Sequence, residues 1–311
     1  MKEFYSGINY YGIGEIIREY AHFPNFLPCP VGIQHGWART THSHDANYKC
    51  AENWFWTEDL AAKYQDEYKG LSTRAVGSPF LYLLTNLNYV EALTKKGSIV
   101  FPAHSTKIVG VKCDFNKYAE MLEKLPDEYK PITICMYYLD MEKGSDIPFR
   151  EKGFEVVKNG DSLYDNDFLR RFVKNVHGKK YAFSNQATSA LLFSSTMGLT
   201  SFFYGPEYVD YAELSYYQTL AYEEDTKQWD YQPSQHFQFP LCNIEKHREF
   251  VAEQMGQAFL IAPKEMRRIL YKCMFRKHYF LNILLQTPKK LIKNYFPFLF
   301  RLYIKIRKIN S

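Results

Sequence analysis

The stretch Lys179–Gly205 constrains this chain more than any other, because it reads strand, polar turn, helix, strand. Tyr181, Ala182 and Phe183 close a short strand, and Ser184-Asn185-Gln186-Ala187 is a polar turn. Thr188 or Ser189 suits the cap of a helix running to about Met197, with Gly198 positioned to end it. Ser201 to Tyr204 returns as a second buried strand. A helix that begins just after a parallel strand points its unpaired N–H groups out of the sheet's carboxyl edge. Anions bind there, and the Ser184, Thr188 and Ser189 hydroxyls add donors at the same place. A good cap needs no ligand, so the same residues also suit an ordinary βαβ unit, and the flanking sequence decides.

The flanks alternate in the same way. Through residues 97–263, strands are expected at Ser98–Phe101, Ile132–Leu139 and Phe154–Val157, with helices at Phe115–Leu125 and Asp165–Val176. This pattern predicts an α/β domain with one parallel sheet containing Ile99, Ile134, Val156, Ala182 and Phe202. Ligands of such domains sit at the carboxyl ends of the strands. His104, Asp140, Ser184–Ser189 and the Gly205-Pro206-Glu207 turn all fall at such ends. Residues 1–96 read as a smaller lobe: a helix over Glu15–Tyr20, strands at Val31–Gln34, Glu52–Trp56 and Thr73–Gly77, and helices over Glu58–Tyr68 and Thr85–Lys96.

The net charge of +5 hides a split. Residues 264–311 carry thirteen Lys and Arg against one acid, Glu265, a net +12 that leaves −7 for the rest. Leu291, Tyr295, Phe298, Leu302, Ile306 and Ile309 recur at helical spacing, with Lys293, Arg301, Lys305 and Lys308 on another side. A basic helix with an aromatic-rich apolar face suits an anionic membrane surface, or alternatively packs on the body. No nucleic-acid motif accompanies the charge, so no nucleic-acid partner is expected. The amino-terminal residues lack an apolar core, so no export signal is expected, and no run is long enough to span a bilayer. Six scattered cysteines without a CxxC fit free thiols in a reducing compartment, so a cytoplasmic location is expected, peripheral on the inner face of the membrane.

Two histidines stand apart. His35 and His104 each close a buried strand and precede a small residue. His42, His44 and Asp45 lie in a polar loop and lack a well-spaced third metal ligand, so no metal site is expected there. Asp140-Met141-Glu142 lacks the second Asp of an acidic metal motif. His22, His177, His236, His247 and His278 are expected at the surface. No P-loop, GxGxxG, GxSxG or kinase motif is present.

Taken in order, Gln34-His35-Gly36-Trp37, Trp54-Phe55-Trp56-Thr57, Val76-Gly77-Ser78-Pro79, Phe101-Pro102-Ala103-His104-Ser105, the run Ile132–Asp140 and then Ser184–Leu199 resemble the bacterial cell-surface polysaccharide glycosyltransferases of GT-B architecture. The layout is similar to the teichoic acid glycerophosphotransferases, with a His-Gly ending an N-domain strand and a second His opening the donor domain. It is also similar to bacterial sialyl- and Kdo-transferases, although His104-Ser105 stands where those have His-Pro. The resemblance covers most of residues 31–205.

It implies two Rossmann-like lobes with a cleft between them and a basic helical tail: an acceptor-side lobe at 1–96, a donor lobe at 97–263 and a membrane-associating tail at 264–311. It implies metal-independent, inverting transfer from a nucleotide-sugar, the nucleotide leaning to cytidine, to a lipid-linked or polysaccharide acceptor of capsule or O-antigen type. His35 would be the general base, with Asp45 or His44 as the alternative. His104, Ser184, Asn185, Thr188 and Ser189 would hold the nucleotide, and Glu207 its ribose. No cofactor beyond the donor is implied. Polyol-phosphate transfer and a non-catalytic nucleotide-sugar-binding subunit are the competing readings.

Overall fold

The computed structural model describes residues 10–276 apart from 26, 28, 39, 44, 106–108, 163, 213–234, 241 and 242. His44, His278 and the helical tail pattern from Leu291 onward therefore lie outside the described residues. The rest fall into two α/β units. One holds the described residues of 1–35, 40–87 and 259–311, and the other those of 36–39 and 88–258. The sequence reading put the first break at 96/97, whereas the chain leaves the first unit after Leu87. The opening of the basic region also differs: its helix Pro263–Met274 counts with the first unit.

The first unit is built on a three-stranded parallel sheet of β1 (Val31–Ile33), β2 (Glu52–Phe55) and β3 (Thr73–Ala75), in that order. Helix α1 (Ile13–Ala21) buries Ile13, Ile16, Ile17 and Ala21, a three-and-four spacing that makes one apolar stripe. Helix α2 (Glu58–Glu67) links β2 to β3 and is capped by Thr57, whose side chain accepts the Leu60 N–H. Helix α3 (Pro79–Asn86) follows β3, capped by Ser78 with Pro79 in its first turn. The helix expected over Thr85–Lys96 is therefore displaced: α3 ends at Asn86, and 87–96 contains no regular element. Its start is set by the Ser78-Pro79 pair, a stronger initiation signal than anything after Thr85.

The second unit contains β4 (Ser98–Val100), β5 (Val109–Cys113), α4 (Phe115–Glu123), β6 (Ile132–Cys135), α5 (Tyr138–Glu142), α6 (Ile147–Glu151) and β7 (Glu155–Val157). It continues through α7 (Phe168–Val176), β8 (Tyr181–Ser184), α8 (Ser189–Thr196), β9 (Thr200–Phe203), β10 (Tyr208–Ala212) and α9 (Ile244–Gln254). The last helix, in the first unit, is α10 (Pro263–Met274). Five strands form one parallel sheet in the order β7-β6-β4-β8-β9. The sheet winds outward in both directions from β4, so chain direction reverses between β4 and β8. That reversal is the topological switch point of a doubly wound sheet, where open α/β domains take ligands.

The expected single sheet through Ile99, Ile134, Val156, Ala182 and Phe202 is thus present. One strand is shorter than expected: the apolar run Ile132–Leu139 breaks at Cys135, and Tyr138 opens α5. A run buried throughout has no period that separates strand from helix. The core beneath β6, β8 and β9 is aromatic, with Tyr118, Phe149, Phe183 and Phe202 all buried. Strands β5 and β10 pair antiparallel as a separate two-stranded ribbon. No described helix is long and apolar enough to cross a membrane.

Candidate functional site

Strand β8 ends at Ser184, four residues before the Thr188 cap of α8. The hydroxyls here share one habit. Ser184 Oγ accepts the Gln186 N–H at 3.1 Å, Thr188 Oγ1 accepts the Ala190 N–H at 3.5 Å, and Ser189 Oγ accepts the Trp37 N–H at 2.8 Å. Each hydroxyl therefore has one lone pair engaged and its own proton still to give. Among the described residues none of the three protons has an acceptor. Ser184 is fully buried, where an unused donor is costly. Three donors at the N-terminus of α8, at the carboxyl edge beside the switch point, make a setting for an anion.

Asn185, expected to touch the nucleotide, hydrogen-bonds the neighbouring strand ends, and its Nδ2 also lies 3.5 Å from Cys113 Sγ. Its Oδ1 accepts the Ala103 N–H at 2.8 Å and its Nδ2 donates to Pro206 O at 2.9 Å. It ties together the ends of β4, β8 and β9. Gly205 passes so close that a Cβ there would stand 2.7 Å from Asn185 Cβ and from Tyr118 Cζ, with φ at +145°. Glu207 follows that turn and is exposed.

On the other side of the switch point, the chain leaving β4 carries His104 and Ser105. His104 Nδ1 donates to Ser105 O at 3.2 Å, and its ring lies 4.8 Å from that of Tyr137. The Ser105 N–H is fixed by Asp140 Oδ2 at 2.9 Å. Asp140, weighed in sequence as part of a metal motif, sits buried in α5 and holds the turn that presents His104. Among the described residues no group of His, Cys, Asp and Glu could hold a metal ion.

The first unit brings together two other expected residues. His35, just past β1, has its Nδ1 3.0 Å from Asp45 Oδ1, and the Asp45 carboxylate is 2% exposed. The Tyr10 ring stands edge-on to His35 at 5.3 Å. Asp45, an alternative base in the sequence reading, is thus hydrogen-bonded to the other candidate, and a buried carboxylate facing Nδ1 favours the tautomer with the proton on that nitrogen.

His247 is a correction. It was expected at the surface but is 2% exposed, between Ser195 Oγ at 3.0 Å and His236 O at 2.7 Å. Burial pushes its pKa down. His236 stacks on Phe250 at 3.9 Å, and burial lowers its pKa as well. The sequence reading also missed Trp37, whose indole Nε1 donates to Gln254 Oε1 at 2.9 Å, and Lys143, which reaches Ser105 Oγ at 3.1 Å. The available signal for Lys143 was its place, a basic residue just beyond an expected strand end.

No family model matches the chain, and neither does any curated protein. Among solved structures it is similar to an S. aureus MnaA–UDP co-structure at 15% identity and TM-score 0.37, covering 75% of this chain and 62% of that one. It is also similar to a UDP-GlcNAc 2-epimerase from Neisseria meningitidis bound to UDP-GlcNAc, at 9% identity and TM-score 0.35, covering 74% and 62%. The chain thus matches less than two thirds of the length of each. The class rests on the chain's own topology: two α/β units, each with a parallel sheet, the larger doubly wound.

Proposed function

We propose that the protein is a nucleotide-sugar-dependent glycosyltransferase that binds its donor at the β4/β8 switch point and uses His35 as general base. One observation carries this reading: the three hydroxyl protons of Ser184, Thr188 and Ser189 lack acceptors where β8 turns into α8. A donor phosphate supplies oxygens to accept them, at the end of a helix whose dipole favours negative charge.

The chemistry follows from the groups in hand. His35 Nε2 takes the proton of an acceptor hydroxyl, and the Asp45 carboxylate on Nδ1–H stabilises the imidazolium that forms. The freed oxygen bonds to the anomeric carbon as that carbon's bond to the phosphate oxygen breaks, so the configuration inverts. The electron pair leaves on the nucleotide, where the α8 terminus, its hydroxyls and His104 stabilise the growing charge. Asn185 acts by holding the strand ends in place, and Glu207 is suited to a ribose diol. Polysaccharide or lipid-linked acceptors, and a membrane role for the basic tail, belong to the same proposal.

The test is donor turnover. The protein is incubated with CMP-, CDP-, UDP- and GDP-linked sugars and a mixed acceptor pool, and nucleotide release and sugar incorporation are followed. Transfer from one donor class, abolished in His35→Ala, supports the reading. Nucleotide binding without transfer from any donor would favour a non-catalytic binding subunit.

A further inference from the structure

Ser105 is fully buried, and its Oγ accepts from both the Val111 N–H at 3.2 Å and Lys143 Nζ at 3.1 Å. Both lone pairs are engaged, and no described residue accepts its proton. Lys143 is exposed at the end of α5, yet its ammonium folds back onto this neutral hydroxyl. Glu142 and Asp146 are close in sequence, but among the described residues Lys143 forms no ion pair. Its remaining N–H groups and its charge are uncompensated. His104 stands next to Ser105 with Nδ1–H on a carbonyl, so Nε2 is the nitrogen left to face a ligand. Ser105 follows β4, Lys143 closes α5 after β6, and the α8 hydroxyls follow β8, three strands that are neighbours in the sheet in the order β6-β4-β8.

We propose that Lys143 is a phosphate-binding residue and that the ligand of this site carries two phosphoryl groups, one on the α8 terminus and one on Lys143 and Ser105. The inference rests on the nucleotide-sugar reading and narrows it: the donor is a nucleoside diphosphate sugar, not a nucleoside monophosphate sugar such as a CMP-linked one. Asp140 is then a positioning residue, since its carboxylate fixes the Ser105 N–H and through it the hydroxyl that steers Lys143.

The experiment is calorimetric titration at fixed ionic strength with UMP, UDP, CMP, CDP, GMP, GDP and inorganic pyrophosphate. It uses the wild type, Lys143→Gln and Lys143→Arg. Gln keeps a donor for Ser105 without the charge, and Arg keeps the charge. The wild type should bind one diphosphate about tenfold or more tighter than its monophosphate, Lys143→Gln should erase that difference while leaving the monophosphate unchanged, and Lys143→Arg should retain most of it. Equal affinity for mono- and diphosphates, or diphosphate binding indifferent to Lys143→Gln, overturns the inference while leaving the nucleotide reading standing. Pyrophosphate binding that depends on Lys143, with no nucleotide bound, would sustain the phosphate site and sink the nucleotide reading. Binding of neither overturns both.

Discussion

His35 Nδ1 lies 3.0 Å from a carboxylate oxygen of Asp45, and that carboxylate is buried while the imidazole is part exposed. The arrangement divides the labour between the two residues. Loss of the base should lower the transfer rate about 10²–10⁴-fold. Asp45→Asn keeps the shape but removes the charge that stabilises imidazolium, so its loss should fall within the same range. Nucleotide affinity should be unchanged in both, because neither residue belongs to the unit that carries the donor edge. Transfer rates and nucleotide titrations on the two variants check this; full activity in Asp45→Asn would remove the dyad from the mechanism.

Ser189 and Ser184 should separate binding from folding. Ser184→Ala and Ser189→Ala each remove a donor, and each should weaken nucleotide binding several-fold. Thr188→Ala should weaken binding likewise and in addition cost about 1 kcal/mol of stability, because Thr188 caps α8 through the Ala190 N–H. Melting temperature and nucleotide affinity, measured on all three, distinguish the two effects.

His247 should make the protein sensitive to acid. Burial lowers its folded-state pKa below the ordinary 6.5. The unfolded chain then binds the proton more readily, so stability is fully present above about 6.5 and is lost as pH falls below it. His236 shifts in the same direction and adds to the slope. Melting temperature followed from pH 8 to pH 5 should fall more steeply in the wild type than in His247→Gln. Parallel curves would contradict the assignment.

Arg74 should matter to the first unit through Glu52. That carboxylate is 2% exposed and accepts from Trp54 Nε1 at 2.8 Å, Arg74 Nε at 2.7 Å and Arg74 Nη2 at 3.0 Å. Arg74→Met leaves a buried charge short of donors. The expected loss is about 2 kcal/mol, below that for a fully buried pair because the guanidinium is part exposed. Denaturant unfolding measures it. Arg276 Nη2 remains 3.6 Å from the carboxylate, so Glu52→Gln with Arg74→Met should recover only part of the loss.

The five strands of the main sheet were legible because each carries short apolar runs near turn residues, and β4, β6 and β8 are buried along their whole length. The β8–Thr188–α8 junction was legible for the same local reason, a cap at a fixed offset from a strand. The β5–β10 ribbon was not, because its two strands lie almost a hundred residues apart and neither carries a signal naming the other. His247 was missed because a histidine in a charged helix reads as exposed, and only the Ser195 and His236 contacts place it in the interior. Asn185 reads as a nucleotide contact and Asp140 as a strand-end residue in an incomplete acidic motif. That both also hydrogen-bond the backbone of neighbouring strand ends is something sequence spacing does not encode.

The basic segment supports a prediction from sequence alone. Removing Lys289–Ser311 deletes most of the recurring apolar and basic positions of a region with net charge +12. The truncated protein should shift from membrane to soluble fractions, and high salt should weaken membrane association of the full chain. Unchanged partitioning would indicate that the segment does not hold the protein to lipid.

The most direct test of the account is amide hydrogen exchange on the full-length protein, with and without a saturating nucleotide chosen from the binding panel. Peptides covering Ser184–Leu191 should gain protection, together with those covering Ala103–Ser105, because the ligand closes over the β8–α8 turn and the end of β4. Unchanged exchange across Ser184–Leu191, or protection confined to other segments, would contradict a donor site at the switch point.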